Sequence, residues 1–209
     1  MPFFQGVPFM TSDAFSQGSR PLRPTRSDVS PGRTSPLGRV FGPLLLGLCG
    51  LLVVGERSYR FHEMAAAQWL ISHVLGLRTM VLAAPDAPVL YAGDDSGFGR
   101  GIALTTGCSS ALLIATLAML AGVLLLFSTR RPTRILLGFL LAAALIGGTN
   151  LGRLMLIVAM QHRYGEDGFG WTHILFGSVL MMAAALVALL LFLYMITRTS
   201  AHEAEDGVL

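Results

Sequence analysis

The sequence contains no lysine, and only 13% of its 209 residues are charged. All 15 basic residues are arginines, scattered along the chain rather than gathered in a dense stripe. The net charge of +3 therefore does not indicate a nucleic-acid partner. Hydrophobic residues make up 53% of the chain, a balance too apolar for a soluble domain, which indicates an integral membrane protein.

Cysteine is also scarce, since Cys49 and Cys108 are the whole complement, and this excludes a disulfide framework. We interpret Cys49, in the middle of an apolar run, as a small buried hydrophobic residue. The sequence has no HExxH motif, no CxxC pair and no GxSxG elbow. The other candidate metal ligands lie at no recognised ligand spacing: His62, His73, Asp94 and Asp95. We therefore predict neither a metal nor a cofactor.

Four long apolar segments indicate membrane helices, because about 20 helical residues cross the ~30 Å hydrocarbon core of a bilayer. They are residues 37–55, 108–127, 135–160 and 171–196. The first segment could instead be a signal-peptide core, but no small-residue cleavage pattern follows it, so we predict an uncleaved anchor helix.

Residues 56–107 form an insert between the first two spans. Residues 59–77 have apolar positions at helical spacing but are too polar to span, which is typical of a helix on the membrane surface or packed on the bundle. Short β-prone pieces at 79–82 and 89–91 flank a proline-containing turn, and 102–105 could pair back, so we predict a small β-hairpin.

Arginine distribution predicts the orientation of the chain. With four spans, the N-terminal tail and the 128–134 loop share one side, and both are rich in arginine, which indicates the cytoplasm. The predicted fold is an all-α integral membrane protein with a bundle over 37–196. The 56–107 insert and a polar link at 161–170 are predicted to lie on the extracytoplasmic side. The predicted cytoplasmic tails are residues 1–36 and 197–209. The composition of 1–36 predicts that this tail is disordered.

This topology brings three reactive side chains to one level at the outer face. Cys108 begins the second span, where the positive end of the helix macrodipole favours a thiolate. Counting about 20 residues from Ile135 puts Arg153 near the outer boundary. His173 lies in the first turn of the fourth span, and Asn150 shares a helix face with Arg153.

Each of these residues also has a plain structural interpretation. Cys108 could be inert, and His173 could be an interfacial residue. Arg153 could snorkel to the headgroups, although a central membrane arginine costs about 2.5–3.5 kcal/mol on insertion scales. Asn150 could form a helix–helix hydrogen bond.

Three short motifs occur in order: Gly107-Cys108-Ser109-Ser110, Asn150-Leu151-Gly152-Arg153, and His173 followed by Gly177. Their order, spacing and membrane placement resemble the exosortase/archaeosortase family of membrane-embedded cysteine transpeptidases, over roughly residues 80–190. Two features depart from that family. Ser110 stands where members often have glycine, and about four spans is fewer than many members have.

The resemblance implies a peptidase or transpeptidase in which Cys108 is the nucleophile, His173 the general acid/base and Arg153 the stabiliser of negative charge. Asn150 would orient Arg153 or the substrate. The substrates would be proteins carrying a C-terminal motif, a transmembrane helix and a basic cluster, cut at the outer face of a bacterial cytoplasmic membrane. An unidentified nucleophile would accept the acyl group.

A competing hypothesis is a non-enzymatic membrane scaffold or subunit for envelope polymer export or assembly. In that case Arg153 and His173 would bind a partner or lipid headgroups, and Cys108 would be passive. The reactivity of the Cys108 thiol from outside the cell distinguishes the two hypotheses.

Overall fold

A computed structural model describes residues 36–94, 97–98, 101–127, 132–173 and 177–198. Its elements are α1 (Pro36–Val54), α2 (Glu56–Val74), β1 (Arg78–Ala83), β2 (Pro88–Asp94), β3 (Gly97–Phe98), β4 (Ile102–Ala103), α3 (Ala111–Phe127), α4 (Pro132–Trp171) and α5 (Gly177–Thr197). The predicted disordered tail lies outside the described residues, apart from Pro36, which begins α1. The C-terminal tail beyond Arg198 also lies outside them.

Among the described residues, three helices are long and apolar enough to cross a membrane: α1, the Pro132–Gly165 part of α4, and α5. The apolar helix α3 has 17 residues and rises about 26 Å, slightly less than the hydrocarbon thickness. Large apolar side chains on α5 are exposed, Met182 by 74% and Val179 by 63%, as expected for a lipid-facing surface. The all-α membrane fold predicted from the sequence is confirmed.

The spanning helices pack as neighbouring pairs, α1 on α3, α3 on α4 and α4 on α5. Phe139 and Phe192 lie at the centre of their buried cluster, together with Leu125 and Ile135. Two glycines allow α1 and α3 to approach closely, since a Cβ added at Gly122 would lie 3.1 Å from the Gly42 carbonyl oxygen. Small residues at such contacts are typical of helix packing in membranes.

Helix α2 packs on α4 and on the small sheet rather than lying alone at a surface. A second buried cluster joins Met64 and Ile71 of α2 to Leu90 of β2, and it includes Cys108 and Ile157. The insert between the first two spans therefore forms one face of the environment of Cys108.

The predicted hairpin is present within a small antiparallel sheet. Strand β2 pairs with β1 from Arg78↔Gly93 to Ala83↔Pro88, and it also pairs with β3 and β4. The Leu104 amide donates to the Pro88 carbonyl oxygen at 3.0 Å, which continues the β4 pairing toward the cysteine. The sheet thus delivers the chain to the turn that carries Cys108.

Three predicted boundaries are wrong. Helix α3 begins at Ala111 rather than at Cys108, because Ser109 has extended backbone angles (φ −89°, ψ 146°). The predicted polar link at 161–170 is helical and belongs to α4, which breaks at Gly165, where φ is 67°. Polarity does not oppose helix formation, whereas glycine adopts a positive φ without strain.

The last boundary concerns His173, which we predicted in the first turn of the fourth span. It lies instead in a short π-helical stretch at 172–173 after α4, and α5 begins at Gly177. Helix α4 breaks at Gly165, and Thr172 and His173 come directly after its last residue, Trp171.

Candidate active site

The structure brings the cysteine and the histidine into direct contact. Cys108 Sγ lies 3.1 Å from His173 Nε2, and the thiol residue is 8% exposed. This distance is within the range in which an imidazole can take a proton from a thiol. Equal depth in the membrane did not require this contact, because residues on different helices at one level can face different directions.

Arg153 completes the surroundings of the sulfur from α4. Its side chain is 4% exposed, and Nη2 donates to Cys108 Sγ at 3.8 Å, which is long even for a sulfur acceptor. Its Nε has no hydrogen-bond partner within the described part of the chain. A guanidinium beside a thiol favours the negatively charged thiolate.

Gly177 makes room for this guanidinium at the start of α5. A Cβ added at Gly177 would lie 2.5 Å from Arg153 Nε, closer than any real carbon contact. The absence of a side chain at position 177 therefore allows Arg153 to lie where it does.

The cysteine sits in a single 3₁₀ turn, Thr106–Cys108, before the helix. Its backbone N–H donates to the Thr105 carbonyl oxygen at 2.9 Å, and the Thr105 hydroxyl donates to Sγ at 3.5 Å. The thiol therefore has a hydroxyl, an imidazole and a guanidinium as polar neighbours.

Asn150 binds the backbone of the cysteine. Its fully buried Nδ2 donates to the Cys108 carbonyl oxygen at 2.9 Å and to Glu63 Oε1 at 2.8 Å. The amide group thus links the turn to α2, and its predicted role toward Arg153 or the substrate stays a prediction.

Glu63 is the residue of this site that the sequence interpretation missed. The carboxylate is 7% exposed and accepts hydrogen bonds from Ser109 Oγ (2.8 Å), Ser110 N (3.2 Å), Ser110 Oγ (2.6 Å) and Asn150 Nδ2 (2.8 Å). It lies in the segment 59–77, which the sequence predicts as a polar helix on the membrane surface or packed on the bundle. The helical spacing could have indicated that Glu63 is buried, because it shares a helix face with Met64, Ala67 and Ile71, all of which are buried.

The donors near the start of α3 serve Glu63 and Ser109 rather than the thiol. The Ser110 N–H points to the carboxylate, and the Ala111 N–H donates to Ser109 Oγ at 3.2 Å. The expectation that Cys108 begins the helix and benefits directly from its macrodipole is therefore wrong. The positive charge that the structure places beside the sulfur belongs to Arg153.

Tyr59 of α2 contacts the residues after the turn through Ser110. Its hydroxyl lies 2.9 Å from Ser110 Oγ, and burial raises the pKa of the phenol, which therefore stays protonated at neutral pH. Tyr59 also lines a cleft of about 230 Å³ between α2 and α4. The other residues around the cleft are His62, Glu63, Ala66, Gly147 and Leu151.

The protonation of the histidine follows from its surroundings. Burial lowers the pKa of His173, and the positive charge of Arg153 lowers it further. The neutral imidazole is therefore favoured at neutral pH and can accept a proton. Within the described ranges, no three His, Cys, Asp or Glu side chains are grouped to hold a metal ion.

This arrangement supplies a thiol, a neutral base in contact with it, and a buried cation beside both. Such a set can perform acyl transfer through a thioester. The same three side chains could not assist one another if they faced apart.

A family model described as transmembrane exosortase matches residues 67–192, more than half of the chain. The matched segment contains Cys108, Asn150, Arg153 and His173, whereas Glu63 precedes it. Neither a curated protein nor a solved structure shows a significant match. Exosortases are membrane proteins that act in protein sorting, generally as cysteine transpeptidases. The chain belongs to the transmembrane exosortase family.

Proposed function

We propose that this protein is a cysteine transpeptidase or endopeptidase that cleaves C-terminal sorting signals at the outer face of the cytoplasmic membrane. The observation that carries the proposal is the 3.1 Å contact between Cys108 Sγ and His173 Nε2. The buried guanidinium of Arg153 beside the sulfur supports it. An inert cysteine would need neither neighbour.

In the proposed reaction, His173 takes the thiol proton and Cys108 Sγ attacks the carbonyl carbon of the scissile peptide. The tetrahedral intermediate collapses when the C–N bond breaks, and the imidazolium returns its proton to the leaving amine. A thioester on Cys108 remains. An acceptor nucleophile then attacks this thioester, gives its proton to His173, and releases the thiolate together with the new acyl product.

Arg153 stabilises negative charge during both steps. Its guanidinium carries fixed N–H donors in a site from which water is largely excluded, where such donors stabilise an oxyanion strongly. The unpartnered Nε, judged on the residues described, leaves this cation with an unused donor. Its Nη2 faces the thiol, and the guanidinium carries further N–H groups for charge that develops during the reaction.

The proposed topology has four spans, α1, α3, α4 and α5, and both termini in the cytoplasm. Arginines in the N-terminal tail and at positions 130, 131 and 134 support this orientation. A substrate with a motif, a transmembrane helix and a basic cluster would then present its motif at the depth of Cys108. The acceptor would be a lipid, a glycan or water.

The decisive experiment is to trap the acyl-enzyme. The protein is co-expressed with a secreted reporter carrying a C-terminal motif, helix and arginine cluster, taken from a neighbouring gene. We expect a covalent conjugate that neutral hydroxylamine releases, because hydroxylamine cleaves thioesters and leaves amides intact. If the reporter is processed without such a conjugate, including under rapid acid quenching, a thioester mechanism is contradicted.

A Gly177→Ala substitution tests the position of Arg153. The added methyl group would displace the guanidinium, and we expect processing to slow about 100-fold, as for a misplacement of about 1 Å in a catalytic group. Thermal stability should change little, because a flexible side chain can move aside. Gly148→Ala is the matched control, since a Cβ there meets nothing within 4 Å. Equal rates for both variants would contradict the role of Gly177.

A further inference from the structure

We propose that Glu63 is a positioning residue, which holds the turn carrying Cys108 and thereby directs the thiol toward His173 and Arg153. The proposal deepens the proposed function, on which its activity measurement rests. Glu63 lies outside the segment that the family model matches, in the part of the 56–107 insert that precedes residue 67.

The contacts of the carboxylate indicate this role. An ionised carboxylate only accepts hydrogen bonds and has about four lone-pair sites. Glu63 fills them with donors from Ser109, Ser110 and Asn150, with Ser110 and Asn150 fully buried. Taking a carboxylate out of water is costly unless hydrogen bonds replace those of the solvent, and here the compensation comes entirely from the neighbourhood of the cysteine.

These bonds hold the carbonyl group of Cys108 and the two residues that follow it. Glu63 binds the two residues that follow Cys108 directly, and it binds the Cys108 carbonyl oxygen through Asn150. Three elements are joined in this way, namely α2, the turn before α3, and α4. Without the carboxylate, the Ser109 hydroxyl and the Ser110 N–H and hydroxyl lose their acceptor, and the turn is free to wind into α3, which would draw the thiol away from His173.

Ser110 gives this chain a contact that a glycine could not make. Its hydroxyl donates to Glu63 Oε1 at 2.6 Å and meets the Tyr59 hydroxyl at 2.9 Å. The serine therefore adds a link to Glu63 where a glycine would leave only a backbone N–H.

The test uses the full chain with Cys49→Ala, which leaves Cys108 as the single thiol. We measure alkylation of Cys108 by iodoacetamide across pH, together with kcat and KM for the reporter. Glu63→Gln keeps the shape and removes the charge. We prefer it to Glu63→Ala, which would open the turn to the adjacent cleft.

For Glu63→Gln we expect kcat to fall about 10- to 100-fold with KM within about twofold, since a displaced nucleophile affects chemistry more than binding. Alkylation near neutral pH should slow several-fold, because the thiol loses its contact with the imidazole. Glu63→Asp, which keeps the charge, should recover part of both values. Ser110→Gly should give a smaller loss, and its effect should not add to that of Glu63→Gln, because the two residues share one hydrogen bond.

Glu56→Gln is the matched control, since it removes another carboxylate of α2. The Glu56 carboxylate pairs with Arg60 rather than with the turn. The proposal would be overturned if Glu63→Gln left both the alkylation profile and kcat unchanged. A variant that only lowered the thermal stability, with both values unchanged, would overturn it as well. If Glu63→Gln does not fold, Glu63→Asp and Ser110→Gly test the proposal instead. Wild-type alkylation and kcat in both variants would overturn the proposal. If the parent chain processes no reporter, the proposed function fails, while the alkylation profile still tests the position of the thiol.

Discussion

A Cys108→Ala chain is expected to fold normally and to lose processing by about 10⁴-fold or more, effectively to background. The loss is this large because, among the described residues, Cys108 is the thiol that contacts His173, and a neighbouring hydroxyl is a far weaker nucleophile. The neighbouring Ser109 hydroxyl donates to Glu63, and the Ser110 hydroxyl does the same at 2.6 Å. The fold should survive, since alanine is a small residue in a turn held by its backbone and by Asn150.

The measurement is the cleavage of the co-expressed reporter, followed by size, with thermal unfolding of the purified chain as the check on folding. Cys49→Ala is the matched control, because it removes the other thiol, in α1, and should leave processing intact. Labelling from outside the cell adds a second comparison, in which a small charged thiol reagent should modify the Cys49→Ala chain and not the double variant. Normal processing by Cys108→Ala would show that the cysteine mechanism is wrong, whereas a Cys108 thiol that does not react from outside would favour a scaffold.

Replacing Arg153 by glutamine is expected to slow processing about 10²- to 10³-fold and to move the acid limb of the pH profile upward. The first effect is the usual cost of removing one donor to a developing oxyanion. The second follows from the charge, because Arg153 is one of the causes that lower the pKa of His173. Without that charge the imidazole is protonated at a higher pH, and a protonated imidazole cannot accept the thiol proton.

The lysine variant separates the two effects. Arg153→Lys keeps the positive charge, so its acid limb should stay close to that of the parent chain, whereas its rate should still fall because an ammonium lacks the planar fork of donors. The measurement is kcat/KM against pH from about 5 to 9 for all three chains, spanning the ordinary histidine value near 6.5. An acid limb that is unchanged in Arg153→Gln would contradict the electrostatic link between Arg153 and His173.

The spanning helices could be predicted from the sequence because a bilayer leaves the backbone few choices. Without water, N–H and C=O groups must bond within the segment, so an apolar run long enough to cross becomes a helix. The predicted first span at 37–55 and the observed α1 at Pro36–Val54 differ by one residue at each end. The start of α3 was not predictable in this way, because Ser109 and Ser110 are held by Glu63, which lies 46 residues away from Ser109.

A common depth for Cys108, Arg153 and His173 was predicted by counting residues along each span, but their contact could not be predicted in this way. Depth depends on the distance along a helix, whereas contact depends on the rotation of each helix and on the connections between them. The break at Gly165 and the π-helical stretch at 172–173 carry His173 to the sulfur, and polarity alone had indicated a non-helical link there.

The sequence by itself determined that this is an all-α membrane protein, and its short motifs indicated an exosortase with Cys108 at one end of a span. Only the tertiary structure decided which groups surround the thiol and that Glu63 belongs to the site. The physical reason is that periodicity and hydropathy report the environment of each helix separately. A carboxylate whose hydrogen bonds come from Ser109, Ser110 and Asn150 exists as a site only after α2, α3 and α4 have packed together.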